Sequence, residues 1–197
     1  MSFKICVSGA AEGECINAET IEKAERLGAA IAKNKAILVT GATTGLPFYA
    51  AKGVKKAGGI SIGFSPAYSR SDHTNRYKLP VENMDLTVYT GFGYAGRNLI
   101  LTRSADAVVI ICGRIGTLNE FTVAFEDRKP IGVLEDSGGM ADELEDITRI
   151  AHKHQCKVLY DSDPEKLIKG LIEDLRGRYK DDARKLKPAP ITVENPE

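Results

Sequence analysis

An α/β fold, a single-domain three-layer sandwich with a mostly parallel sheet, is predicted by three features of the sequence. Short apolar runs alternate with longer segments of helical periodicity along nearly the whole chain, the pattern left by right-handed βαβ crossovers. Ala107-Val-Val-Ile-Ile-Cys112 carries no polar side chain, as expected of a parallel strand covered on both faces. The 197 residues are 43% hydrophobic and 27% charged, enough to build one core and too apolar for a disordered chain.

The elements follow in order. Phe3–Ser8 is a short apolar strand closed by Gly9. A helix is predicted over Ala18–Lys33, where Ile21, Ala24, Leu27, Gly28 and Ile31 share one face at i, i+3, i+4 spacing. Ala36–Thr40 is the second strand, the small-residue turn Gly41–Gly45 follows, and a helix over Leu46–Ala57 stops at Gly58-Gly59. Ile60–Phe64 is the third strand. Ser65–Leu79 is the one irregular stretch and holds Arg70, Asp72, His73, Arg76 and Lys78. Strand Leu86–Tyr89, helix Tyr94–Ser104, strand Ala107–Cys112, helix Gly116–Glu126 and strand Pro130–Leu134 come next. Helix Met140–His154, strand Lys157–Tyr160 and helix Pro164–Tyr179 complete the alternation. Residues 1–180 therefore read as one domain, and 181–197, with three prolines, as a loose extension.

Charge and cysteine usage narrow the function. Lys+Arg and Asp+Glu are both 27, so no global field draws in nucleic acid, and a small molecule is the expected partner. No apolar run has the length of a bilayer span and the first residues lack signal-peptide anatomy, which places the chain in the cytoplasm, away from membranes. Cys6, Cys15, Cys112 and Cys156 form no C-x-x-C pair, and no disulfide framework is expected. His152, His154 and Cys156 match no zinc spacing, so no metal site is expected there.

In a parallel sheet of this kind, ligands bind at the carboxyl ends of the strands near the topological switch point. Cys112-Gly-Arg-Ile-Gly-Thr-Leu-Asn-Glu120 leaves a buried strand and opens a helix there. Gly113 and Gly116 let backbone approach an anion, the helix N-terminus favours it, Thr117 adds a hydroxyl, and Glu120 stands one turn in, on the pocket rim. Gly9 and the turn Gly41-Ala-Thr43-Thr44-Gly45 lie at the same sheet edge, and two such turns facing one crevice suit a nucleotide. Taken separately, each turn is equally well explained as a tight strand-to-helix connection. Gly91-Phe-Gly-Tyr-Ala-Gly96 has the dinucleotide spacing, but it lies mid-chain and no acid ends the next strand, which excludes an NAD site. Arg97, just inside the following helix, supplies a permanent cation, and His73 with Arg70 could form a lid. Neither a nucleophile elbow nor a Walker loop occurs.

Gly41-x-x-x-Gly45-Leu46, Arg97-Asn98, Ser104-Ala-Asp-Ala107 and Gly113-x-x-Gly116-Thr117-x-x-Glu120 resemble the LOG-like superfamily, often labelled lysine decarboxylase-like, in order over about residues 4–175. The resemblance implies a Rossmann-like nucleotide-binding fold, assembled as a homodimer or higher homo-oligomer. It also implies a nucleoside 5′-monophosphate phosphoribohydrolase activity in which Arg97 and Glu120 release the base from ribose 5-phosphate. A carboxylate can stabilise the oxocarbenium-like transition state of that cleavage while orienting water. No required cofactor or metal is implied, and nothing suggests a pyridoxal site for a decarboxylase. Three departures set the chain apart. The family's Pro-Gly-Gly is Cys112-Gly113-Arg114 here, its Arg-Lys is Arg97-Asn98, and Leu118–Ala124 is more similar to the branch of molybdenum-cofactor carriers. The alternative function is therefore a non-catalytic carrier binding a nucleotide or molybdenum cofactor through Gly9, Gly41, Thr43, Thr44, Gly45, Gly113, Arg114, Gly116 and Thr117.

Overall fold

The structure, a computed structural model, describes residues 2–151 and 156–185, with side chains through residue 180. Seven strands form one fully parallel sheet: β1 (Lys4–Gly9), β2 (Ile37–Thr40), β3 (Ile60–Ser65), β4 (Leu86–Tyr89), β5 (Ala107–Ile111), β6 (Ile131–Leu134) and β7 (Val158–Asp161). The helices are α1 (Ala18–Lys33), α2 (Leu46–Lys56), α3 (Gly93–Ser104), α4 (Ile115–Glu126), α5 (Met140–Ile150) and α6 (Pro164–Lys185). The strand order is β4-β3-β2-β1-β5-β6-β7. The chain winds outward from β1 to one edge, then crosses to β5 on the other side of β1. That reversal opens a crevice between the carboxyl ends of β1 and β5, whose register pairs Gly9 with Ile111.

The two sheet faces bury separate cores. Ile5, Val7, Val109 and Ile111 point to a layer made by α1, α2 and α6. Cys6, Val108, Ile110 and Val133 point to the layer of α3, α4 and α5, with Phe121 and Leu144 at its centre. All five β5 residues are buried, as its unbroken apolar run requires. Helix α1 is started by Asn17, whose side chain accepts from the Thr20 N–H while the Thr20 hydroxyl accepts from the Asn17 N–H. Helices α1 and α2 pack backbone to backbone: a Cβ at Gly28 would lie 1.9 Å from the Ala50 carbonyl oxygen, and one at Gly53 2.0 Å from that of Glu25.

Most expected boundaries shift by a residue or two, as helix ends fray and strand ends lose their partners. The last helix runs to Lys185, so the expected domain end at residue 180 falls inside α6. The irregular stretch is also more ordered than its composition suggests, since Asp72–Arg76 forms a single π-helical turn. Among the described residues no helix is long and apolar enough to cross a membrane.

Candidate functional site

The crevice between β1 and β5 widens into a cavity of about 510 Å³, within the range of small-molecule sites. Arg97 and Glu120 meet in its wall: Arg97 Nη1 donates to Glu120 Oε1 at 3.1 Å, and both side chains are more than nine-tenths buried. Glu120 is thus an interior carboxylate, not the rim residue expected from its place one turn into α4. Its neighbours explain how it survives there. The Ser8 hydroxyl, at the end of β1, donates to Oε2. With its amide nitrogen turned toward the carboxylate, Asn98 donates to Oε1 at 3.0 Å and to the Tyr94 carbonyl at 2.9 Å. Arg97 Nε remains a buried donor without a partner among the described residues.

Burial dominates the titration of Glu120 and raises its pKa from the ordinary 4.5, with Arg97 and Ser8 pulling the other way. Folded Glu120 therefore keeps its proton over a window in which the unfolded chain has lost it. The stability contributed by the neutral carboxyl is complete below about pH 4.5 and is lost as pH rises through the raised value. The expected result is that the unfolding free energy of wild type minus that of Glu120→Gln falls as pH rises above 4.5. Urea titrations across pH check this, and a flat difference curve would contradict it.

The glycines divide by role. Gly41 lines the cavity, but a Cβ there would lie 2.0 Å from Arg97 Nη1, so its lack of a side chain makes room for the guanidinium. Gly9, Thr43, Thr44, Arg114, Gly116 and Thr117 also line the cavity. Gly116 has open space at its Cβ position, leaving backbone accessible at the α4 N-terminus. No side chain caps that helix, so the N–H groups of Ile115, Gly116 and Thr117 are available to an anion. Gly45 and Gly113 are not in the cavity wall. Their φ values of +70° and +98° belong to the turns that aim α2 and α4.

Several lining residues have no signal in the local sequence pattern. Tyr77 and Tyr94 pack edge to face with ring centroids 5.5 Å apart, beside Lys78 and Leu79. Tyr94 also faces the Arg97 guanidinium at 5.9 Å. His73, a lid candidate from the sequence, is fully buried. Its Nδ1 lies 2.8 Å from the Ser65 hydroxyl and its Nε2 2.8 Å from the Pro80 carbonyl, so it ties the 66–80 loop to β3. Only the far end of that loop, at Tyr77–Leu79, reaches the cavity.

Cysteine pairing corrects the expectation that no disulfide forms. Cys15, in the loop after β1, and Cys112, at the end of β5, form a disulfide with Cα atoms 6.4 Å apart. They lie 97 residues apart in sequence, and only the β1–β5 pairing brings their loops together. Cys6 and Cys156 are free. His152 and His154 lie outside the described residues, within which no three His, Cys, Asp or Glu side chains are grouped to hold a metal.

Comparison with known proteins agrees with this architecture. A curated but uncharacterised protein of Archaeoglobus fulgidus is 33% identical over 133 residues, covering 68% of this chain and 80% of that one. The molybdenum cofactor binding protein of Rippkaea orientalis superposes with a TM-score of 0.70 at 30% identity, over 89% of this chain and 98% of that one. The molybdenum cofactor carrier protein of Chlamydomonas reinhardtii gives 0.69 at 26% identity, covering 90% and 99%. DNA processing protein A of Helicobacter pylori, at 18% identity and a TM-score of 0.60 over 87% and 81%, shares the fold alone. The sequence profile of the SLOG cluster4 family matches residues 2–168, and the chain belongs to that family.

Proposed function

We propose that the cavity binds a small heterocycle carrying a phosphate monoester, the chemistry shared by nucleoside 5′-monophosphates and the molybdenum cofactor, and that the protein holds this ligand as a binder or carrier. The observation that carries the reading is the placing of an anion cradle and an aromatic wall in one cavity. The first turn of α4, with Thr117 and Arg114, lines the cavity together with Arg97 and the paired rings of Tyr77 and Tyr94. Aromatic faces take a flat heterocycle, while helix N–H groups and a guanidinium take its phosphate. The likeness to a molybdenum cofactor carrier and a molybdenum cofactor binding protein supports the same class of cargo. Self-association, implied by the family resemblance, belongs to this proposal and is read by sedimentation of the purified chain.

Glu120 favours a second reading, hydrolysis of the N-glycosidic bond, since it shares the cavity with Arg97. Against it, Ser8 and Arg97 engage both carboxylate oxygens, leaving the group pinned rather than poised to recruit water. Incubation with a panel of nucleoside 5′-monophosphates, followed by chromatography, separates the two. Intact nucleotide retained by the protein is the expected result. Free base that disappears with Glu120→Ala would establish the hydrolase instead. Failure to bind any nucleotide or the molybdenum cofactor would reject the ligand class.

A further inference from the structure

The β1–α1 loop and the β5–α4 turn are joined twice at the cavity entrance. The disulfide links Cys15 to Cys112, and an ion pair links Glu12 Oε1 to Arg114 Nη2 at 2.8 Å. The two links differ in strength. The ion pair is exposed, with more than half of each side chain in solvent, and such pairs contribute little by themselves. The covalent link is therefore the stronger of the two, and it holds the loop that carries Glu12 beside Arg114.

Anchoring on the two sides is unequal. The Cys112 N–H donates to the Ser137 hydroxyl at 2.8 Å, and its carbonyl accepts from the Ala141 N–H at 2.9 Å. On the other side, Thr44 holds the Ala11 carbonyl, Thr20 holds that of Cys15 and the Ile16 N–H donates to that of Gly13 at 3.2 Å, while the Glu12, Gly13 and Glu14 residues are exposed. Cutting the disulfide leaves the β5 side in place and removes the one covalent hold on the loop that carries Glu12, whose own anchors are these single hydrogen bonds.

We propose that Cys15 and Cys112 form a reversible thiol–disulfide site that clamps or releases the cavity entrance, with a dithiol as its reductant. Cys112 is fully buried and Cys15 is the partly exposed partner, so the attack falls on Cys15. A reductant thiolate bonds to Cys15 Sγ and the Sγ–Sγ bond breaks. Cys112 leaves as a thiolate and takes a proton. The second thiol of the reductant then displaces Cys15, which leaves as a thiol, and the reductant departs as a disulfide. Two electrons and two protons pass to the protein, and the oxidised dithiol reverses the step. In the bridged form Glu12 competes with an anionic ligand for Arg114. In the reduced form the loop that carries Glu12 swings away and Arg114 is free to bind.

The test uses the full chain equilibrated with oxidised or reduced dithiol. Alkylation and peptide mapping are expected to find Cys15 joined to Cys112 in the first sample and both alkylated in the second. Amide hydrogen exchange over residues 10–17 is expected to quicken on reduction. AMP, the probe nucleotide, is expected to bind about two- to fivefold more tightly to the reduced form, the scale of an exposed ion pair. Cys15→Ser should bind as the reduced wild type does under both conditions, and Glu12→Gln should abolish most of the redox dependence. Unbridged cysteines in oxidised dithiol would overturn the proposal. So would a bridge whose reduction leaves both exchange and AMP affinity unchanged. The AMP arm rests on the function proposed above: if neither form binds AMP, AMP is not the ligand, and hydrogen exchange alone decides the clamp.

Discussion

Replacing Arg97 by alanine is expected to lower the unfolding free energy by about 3–5 kcal/mol near neutral pH, because it strands the Glu120 carboxylate in the interior. The Arg97 side chain is 6% exposed and that of Glu120 8%, so water cannot stand in for the lost partner. The remaining donors, Ser8 and Asn98, are neutral and offset only part of the deficit. At acidic pH the loss should shrink, since burial already favours protonated Glu120 and a protonated carboxyl needs no cation. The double variant Arg97→Met with Glu120→Leu should regain most of the stability, because an apolar pair of similar volume avoids the desolvation of two charges. It should nevertheless bind no nucleotide. Urea unfolding of the three proteins at two pH values checks this. Equal losses in the single and double variants would show that packing, and not the stranded charge, sets the cost.

Gly28→Ala is the second large effect expected. In an exposed helix this change stabilises by about 1 kcal/mol, since alanine has the better helix propensity. Here the new Cβ would sit 1.9 Å from the Ala50 carbonyl oxygen and 2.8 Å from the Val54 nitrogen, both of them backbone atoms that no rotamer change can move. The helices must separate, and overpacking of this kind costs about 1–3 kcal/mol. A net loss of about 1 kcal/mol is expected after the propensity gain. Gly177→Ala in α6 is the matched control, since nothing lies within 4 Å of its Cβ position and it should gain stability. Thermal unfolding of both variants decides the matter, and a stabilised Gly28→Ala would disprove the close approach. The contact bears on the site as well, because the Gly41–Gly45 turn leads into α2, and separating α2 from α1 would shift Gly41 against Arg97.

Much of this protein was legible without coordinates, and the reason is that the relevant physics is local. The face Ile21, Ala24, Leu27, Gly28, Ile31 defines α1 because a helix repeats every 3.6 residues. The all-apolar Ala107–Ile111 marks a strand covered on both sides, and it lies beside β1 inside the sheet. Arg97 and Glu120 stood out through motif resemblance, and the structure brings them together in one cavity wall.

What the sequence by itself determined is the set of elements, their order and the strand ends at which a ligand can sit. Tertiary structure alone decided which distant residues meet there. Ser8 looks like any strand residue until the β1–β5 pairing places it against Glu120. Tyr77 meets Tyr94, which stands on α3, because His73 ties the 66–80 loop to β3. Cys15 and Cys112 pair only because two loops far apart in sequence cross the same crevice. Gly41 and Gly113 look alike as letters, yet one makes room for a guanidinium and the other turns the chain into α4. Periodicity and capping depend on neighbours within a turn or two, whereas burial of a charge, closure of a cavity and formation of a disulfide depend on which surfaces the folded chain brings into contact.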